Sequence, residues 1–285
     1  MTAVIGPVAS PQLHLVTLNV RRRMPTVVPS HRWSRRLPLM LAMLAREQPS
    51  VLAIQEASAD QSADIRSGLG SRYAAAGTGR DAHGGDERCE VLIDTERLRF
   101  VKVRAFWLSD RPDVRGSRSF GNLLPRVAVH VELHDLGTGG SFTVIATHFD
   151  HLSGRSRLES AHLLHGVAAS LEGPVIVMGD FNAGVDSEEF RMLTSGGVLV
   201  DTWEAASRRL SPEWGTYSRF RAPRRRGQRI DWLLVSPTGS VEAAAINAVR
   251  FGHAAISDHE SVHAVLRWPE LAPEPAPVAG GGRRP

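Results

Sequence analysis

The sequence predicts a mixed α/β fold in which two sheets pack face to face with helices outside. Three observations predict it: short apolar, β-branched runs recur along the chain, amphipathic stretches separate them without strict βαβ alternation, and the late strands follow one another directly. Strands are expected over LHLVTLN (13–19), VLAIQ (51–55), EVLI (90–93), RVAVHVEL (126–133), FTVIATH (142–148), VIVMGD (175–180), IDWLLV (230–235) and SVHAVLRW (261–268). Helices are expected over RRLPLMLAMLARE (35–47), with Pro38 near its first turn and Pro49 closing it, and over RSRLESAHLLHGVAASL (155–171), ended by Gly173 and Pro174. A third, short helix is expected over SEEFRMLTS (187–195). No repeat and no second core appear, so one domain over 11–268 is expected. The proline, alanine and glycine tail PELAPEPAPVAGGGRRP, residues 269–285, reads as disordered.

A chain of 285 residues that is 42% hydrophobic and 22% charged has the composition of an ordinary globular protein. No run approaches the roughly 20 apolar residues of a spanning helix, and MTAVIGPVASPQ lacks the features of a secretory signal, so a cytoplasmic monomer is expected. The single cysteine, Cys89, excludes an internal disulfide framework and a cysteine-rich zinc site. Any metal must sit on oxygen and imidazole.

The net charge of +4 hides an uneven distribution. Arg21, Arg22, Arg23, Arg32, Arg35 and Arg36 form one cluster, and Arg219, Arg221, Arg224, Arg225, Arg226 and Arg229 form another. Of the 34 basic residues these twelve account for the positive excess, since the remaining 22 face 30 acidic residues. Such local patches attract polyanions.

Several strand ends finish in a polar residue that hydropathy does not explain. Asn19 ends TLN, Glu56 ends AIQE, His148 ends IATH, Asp180 ends VMGD and is followed by Asn182, and Asp231 opens IDWLLV. Ser257, Asp258 and His259 precede the last strand. Functional groups concentrate where a rigid scaffold passes into a loop, so the repetition points to one convergent site. Each residue type has a task in phosphoester hydrolysis. Glu56, Asp258 and Asn19 offer the hard oxygens that Mg2+ or Mn2+ prefers. Histidines bond non-bridging phosphate oxygens, and a carboxylate behind one fixes its tautomer. Asp180 is suited to orient or deprotonate a water, and Asn182 to hold water and phosphate in line. No side chain reads as a covalent nucleophile, because GDFN lacks the glycine elbow of serine hydrolases and Cys89 has no base beside it in sequence.

The ordered set TLNV, IQE, ATHFDH, VMGDFNA, RIDWLLVS and ISDHESV resembles the endonuclease/exonuclease/phosphatase superfamily from residue 13 to about 267. The resemblance implies a four-layer α/β/β/α sandwich of two mainly antiparallel sheets flanked by helices, with the site across the top of both sheets. It implies Glu56 as chief metal ligand, Asn19 beside it, and Asp258 close by or acting through water. It further implies that Asp180 and Asn182 handle nucleophile and phosphate, that His259 contacts the phosphate while held by Asp231, and that His148 makes a second phosphate contact. Arg126 in LPRVAV and Glu90 in CEVLI fall where relatives place a site-supporting arginine and acid. Tyrosine is scarce, and GTYSRFRAPRRRGQRID replaces a short turn of relatives with an arginine-rich one.

Structural roles compete with these readings. His14, His130, His134, His162, His165 and His263 lie inside regular elements and read as structural or surface residues. The six tryptophans read as core, Trp214 being the best placed of them to border the cleft. Three functions remain open: a phosphodiesterase on nucleic acid, with Arg224, Arg225 and Arg226 as a substrate clamp; a phosphomonoesterase or lipid-headgroup phosphodiesterase on a small anionic substrate; and a non-catalytic binding module. Retention of every acid, amide and histidine argues against the last.

Overall fold

The computed structural model describes residues 2–268, so the tail expected over 269–285 lies outside the described residues. Seven strands form one mixed sheet: β1 (Gln12–Asn19), β2 (Val51–Ala57), β3 (Tyr73–Gly79), β4 (Arg88–Asp94), β10 (Arg208–Arg209), β12 (Ser240–Asn247) and β13 (Ser261–Arg267), in the order β10-β12-β13-β1-β2-β4-β3. Six form the other: β5 (Leu98–Trp107), β6 (Val127–Asp135), β7 (Ser141–His148), β8 (Val175–Asp180), β9 (Val200–Asp201) and β11 (Asp231–Val235), in the order β5-β6-β7-β8-β11-β9. Pairing is antiparallel except at β1–β2, β10–β12 and β7–β8.

The layers follow from which side chains each strand buries. Along β1, Leu13 and Leu15 enter the core between the sheets with Val91, Val129, Val144, Met178 and Leu233, while Val16 and Leu18 face the opposite way. There they meet Trp33, Met40 and Leu44 of α1 (Trp33–Glu47) and Ile65 of α2 (Ala59–Leu69). A strand covered on both faces has no polar face to show, which is why LHLVTLN reads as almost continuously apolar. The six-stranded sheet is covered in the same way by Ala161 and Leu164 of α3 (Gly154–Ser170) and Leu193 of α4 (Glu188–Leu193). The one-turn α5 (Thr202–Ala205) follows β9.

Both α1 and α3 cross between parallel neighbours, giving one βαβ unit in each sheet. Parallel strands end at the same edge, so β1, β2, β7 and β8 deliver their last residues together, and the antiparallel β11 and β13 deliver their first residues to that edge. Connectivity alone thus collects the polar strand ends.

The expected strands and helices are present to within a few residues. α1 begins at Trp33, so Pro38 lies in its second turn, and Gln48 in the left-handed region (φ 42°) closes it before Pro49. Sequence reasoning missed α2, β3, β5 and β12 along with the short β9, β10 and α5. β3 is rich in alanine and glycine and β12 in alanine, which carry little strand signal. α2 has weak amphipathicity and is started by a capping box between Ser58 and Gln61.

One interior cluster is structural. His14 Nε2 meets His263 Nδ1 at 3.0 Å, His263 Nε2 meets Ser261 Oγ at 2.8 Å, and His14 Nδ1 lies 3.0 and 3.1 Å from the carbonyls of Gly6 and Glu47. The Glu47 carboxylate accepts the amides of Val4, Ile5 and Gly6 and the Asn247 side chain, pinning the segment before β1 to the sheet.

Candidate active site

Register places three of the expected groups side by side. His148 on β7 is opposite Asp180 on β8, and Asp180 is opposite Asp231 on β11. From the facing sheet, Asn19 ends β1, and Glu56 sits at the β2 bulge with φ 65°, a backbone turn that swings its side chain over the edge. Asp258 and His259 arrive on the segment leading into β13, where the Ser257 hydroxyl donates to the Asn19 carbonyl at 2.6 Å.

The polar contacts join these groups into one cluster. The Asn19 amide donates to Glu56 Oε1 (3.0 Å) and Asp180 Oδ2 (2.9 Å), bridging the two sheets. Its own oxygen accepts the Arg21 amide at 2.9 Å, and Glu56 Oε2 accepts the Arg22 amide at 3.1 Å. Asp180 Oδ1 accepts the Asn182 amide at 2.9 Å; the Asn182 side chain donates to the Phe149 carbonyl at 3.0 Å, which leaves its oxygen for the cavity. His259 Nδ1 is 2.9 Å from Asp231 Oδ2, so Asp231 holds the ring with Nε2 directed toward Asp180, 3.8 Å away. His148 Nε2 stands 3.6 Å from Asp180 Oδ2, beyond a direct hydrogen bond. Asp258 is buried 3.5 Å from Arg21 Nε and does not line the cavity.

Electrostatics marks the cluster as strained by charge. Burial and the neighbouring Asp231 push Asp180 up to about 7 against the pull of His259 and Asn19. Burial opposes charge on His259, but Asp231 and Asp180 outweigh it and hold its pKa well above the ordinary value. Burial also raises Glu56, yet Asn19, the Arg22 amide, His259 and Arg21 together keep it below the usual carboxylate range. His148 is driven well below its ordinary value by burial and then by Arg126 and Arg80, so it is neutral. An acid near neutrality beside a cationic imidazole is the pairing that acid–base chemistry requires.

The site opens into a cavity of about 460 Å3 walled by Glu56, His148, Asp180, Asn182 and His259 and by Arg21, Arg22, Arg80, Glu87, Arg126, His151, Tyr217 and Arg219. A larger hollow of about 890 Å3 beside Met24 includes none of the polar strand ends. Arg126 lines the cavity as expected, but Glu90 does not. On β4 the pleat sends Cys89 and Val91 into the inter-sheet core, so Glu90 points the other way and bonds Ser62 of α2 and Arg88. Glu87, one residue before that strand and of opposite parity to Glu90, reaches the cavity instead, bonded to Arg22 and Arg80. Sequence reasoning gave no role to Arg80, Glu87, His151 or Tyr217. The strand-end rule would have singled out Glu87, and Tyr217 packs 4.7 Å from the His259 ring.

The arginine clusters divide. Arg21, Arg22 and Arg219 line the cavity. Arg36 is buried, donating to the carbonyls of Val20, Arg21, His31 and Ile256, and Arg229 is buried against Asp201. Arg224, Arg225 and Arg226 are exposed and do not line the cavity, with Arg225 lying over the Trp214 ring, which is also away from it.

The donor set fits a divalent ion. Atoms of Glu56, His148 and Asp180 lie within 4.8 Å of one another, and two of the three are carboxylates. A profile of the Endonuclease/Exonuclease/phosphatase family matches residues 16–259. The chain belongs to this family. Like its members, this family protein is a metal-dependent phosphoester hydrolase. A mannosyl-6-phosphatase of Bacteroides thetaiotaomicron superposes with a TM-score of 0.83 at 27% identity, covering 90% of this chain and 100% of that one. A Bacteroides vulgatus family protein gives 0.85 at 26% identity over 91% of this chain and all of its own. D. rerio TDP2 complexed with single-strand DNA product gives 0.67 at 13% identity, over 90% and 100%, which reflects the shared fold. No curated protein sequence matches the chain.

Proposed function

We propose that this family member hydrolyses phosphomonoesters of small polar molecules, with Mg2+ or Mn2+ held by Glu56 with Asn19 beside it. The observation that carries this reading is the cavity. Its volume of about 460 Å3 suits a small ligand, while the arginines nominated as a polynucleotide clamp, Arg224, Arg225 and Arg226, stand outside it. The likeness to a mannosyl-6-phosphatase supports the same substrate class.

The residues divide the work. When bound, the ion withdraws charge from the phosphoryl group. Asp180, poised near neutrality, accepts the proton of the attacking water, and the Asn182 oxygen orients that water. His259, cationic and held by Asp231, donates to a non-bridging oxygen, and neutral His148 donates to a second. Asp258 steadies Arg21 at the rim. A second reading, cleavage of nucleic acid, is favoured by Arg21, Arg22 and Arg219 at the cavity wall, which would neutralise flanking phosphates.

The deciding experiment assays purified protein with Mg2+ or Mn2+ on sugar phosphates, 4-nitrophenyl phosphate, bis(4-nitrophenyl) phosphate, plasmid DNA and single-stranded RNA. The proposal expects kcat/KM on the best monoester to exceed that on the diester by about 100-fold or more. Efficient cleavage of DNA or RNA with inert monoesters would establish the second reading instead.

A further inference from the structure

His151 lies just beyond the His148 strand end and has no part in the chemistry above. Its ring is nevertheless held in place. The Arg126 guanidinium, itself buried, donates through Nε to Asp150 Oδ2 at 3.3 Å and through Nη2 to His151 Nδ1 at 2.9 Å. Asp150 is fixed in turn, because its Oδ1 accepts the amides of Leu152 and Ser153 at 2.8 and 2.7 Å. A guanidinium can only donate, so His151 Nδ1 must accept, and the ring carries its proton on Nε2. His151 therefore presents an oriented N–H donor on an exposed ring that lines the catalytic cavity.

Two further observations say what that donor is for. Arg126 Nη1 is buried and has no partner among the described residues, so the group that sets His151 retains unused donor capacity beside the cavity. Arg80, Arg126, His148 and His259 line the same cavity as His151. Donors and positive charge thus converge on one point of the cavity wall, in excess of what His148 and His259 need for two phosphate oxygens.

A phosphodiester has two non-bridging oxygens; a monoester has three and carries more charge. We propose that His151 Nε2, positioned by Arg126 and Asp150, donates to the third non-bridging oxygen of a phosphomonoester and so selects monoesters over diesters. This rests on the monoesterase reading. A diester esterifies that third oxygen, which removes its charge, weakens it as an acceptor and sets an alkyl or aryl group against the N–H.

The test uses the full chain with Mg2+, and 4-nitrophenyl phosphate against methyl 4-nitrophenyl phosphate. His151→Ala should lower the monoester-to-diester ratio of kcat/KM by about 10-fold or more, chiefly by raising KM for the monoester. His151→Gln should restore most of that ratio, because a carboxamide can both accept from Arg126 and donate onward. The ring is exposed, so neither change should disturb the fold, which circular dichroism would check. If the wild type prefers the monoester but the ratio stays put in His151→Ala, or falls equally in His151→Gln, His151 is not the selector and the monoesterase reading stands. A wild type that prefers the diester removes the monoesterase reading itself, and the proposal with it.

Discussion

Two buried clusters in this chain combine carboxylates with imidazoles, and they are built in opposite ways. Around His14, His263 and Glu47 the contacts close on themselves: the carboxylate takes four N–H donors, and each imidazole nitrogen faces a protein partner. Burial holds both imidazoles neutral, with His14 lowered to about 4. Around Asp180, Asp231 and His259 the contacts stay open. Asp231 Oδ1 is buried without a partner among the described residues, Asp180 is pushed up to about 7, and His259 is held well above its ordinary value. Both triads bring ligand atoms close enough for a metal. What separates them is satisfaction: a closed network stabilises a fold, whereas an open one keeps charge and lone pairs for a substrate.

The largest contrast should appear in turnover. Asp180→Asn and His259→Ala should each lower kcat/KM by about 1,000-fold; Asp180→Asn should leave the melting temperature unchanged or higher because it removes a poorly compensated buried charge, whereas His259→Ala should lower it by stranding buried Asp231. Asp231→Asn combined with His259→Ala should cost no more than the worse single change, and multiplicative losses would show that the two do not act as a unit. Steady-state kinetics with thermal melts checks these variants together with the Asp231→Asn single change.

The closed cluster should behave in reverse. Glu47→Ala strips the acceptor from three backbone amides and from Asn247, and should cost about 3 kcal/mol in urea unfolding with kcat/KM within about twofold of wild type. A collapse of activity without loss of stability would reverse the assignment of the two clusters.

The pH dependence of stability should carry the signature of His14. Its folded pKa of about 4 lies below the ordinary histidine value of 6.5, so the unfolded chain binds the proton first as pH falls. Stability from this group is therefore complete above pH 6.5 and is lost between 6.5 and 4, by up to about 3 kcal/mol. His14→Gln should flatten that part of the profile, and an unchanged slope in urea titrations at several pH values would mean that His14 is not buried neutral.

The smallest effect is expected from Arg224→Ala, Arg225→Ala and Arg226→Ala combined. With these side chains outside the cavity, kcat/KM on a small monoester should move by less than about twofold. A salt-sensitive rise in KM on an oligonucleotide, absent for the monoester, would restore their reading as a clamp.

The fold and the polar strand ends were legible because both obey local rules. Strands buried on two faces give continuous apolar runs, and Asn19, Glu56, His148, Asp180 and Asp231 interrupt that pattern where a strand stops. The walls of the cavity were not legible, since they come from turns whose direction depends on pleat and packing. Glu90 was nominated where Glu87 reaches the cavity, a difference of side-chain parity that needs the strand's register to resolve. The arginine clusters misled for a related reason: adjacent residues of one charge serve different ends, Arg36 and Arg229 bracing carbonyls and carboxylates inside while Arg21, Arg22 and Arg219 face the cavity. His151 carried no signal of its own, because its role depends on Arg126, far away in sequence.

The central claim is that Glu56, at the edge of the open cluster, and not Glu47 of the closed one, holds the divalent ion. Thermal unfolding with and without saturating Mg2+ or Mn2+ tests it in wild type, Glu56→Gln and Glu47→Gln. The ion should raise the melting temperature of wild type by about 5 °C, because it binds the folded chain alone. Glu47→Gln should melt lower but keep that shift, and Glu56→Gln should lose it. A shift that survives Glu56→Gln and disappears in Glu47→Gln would contradict the account.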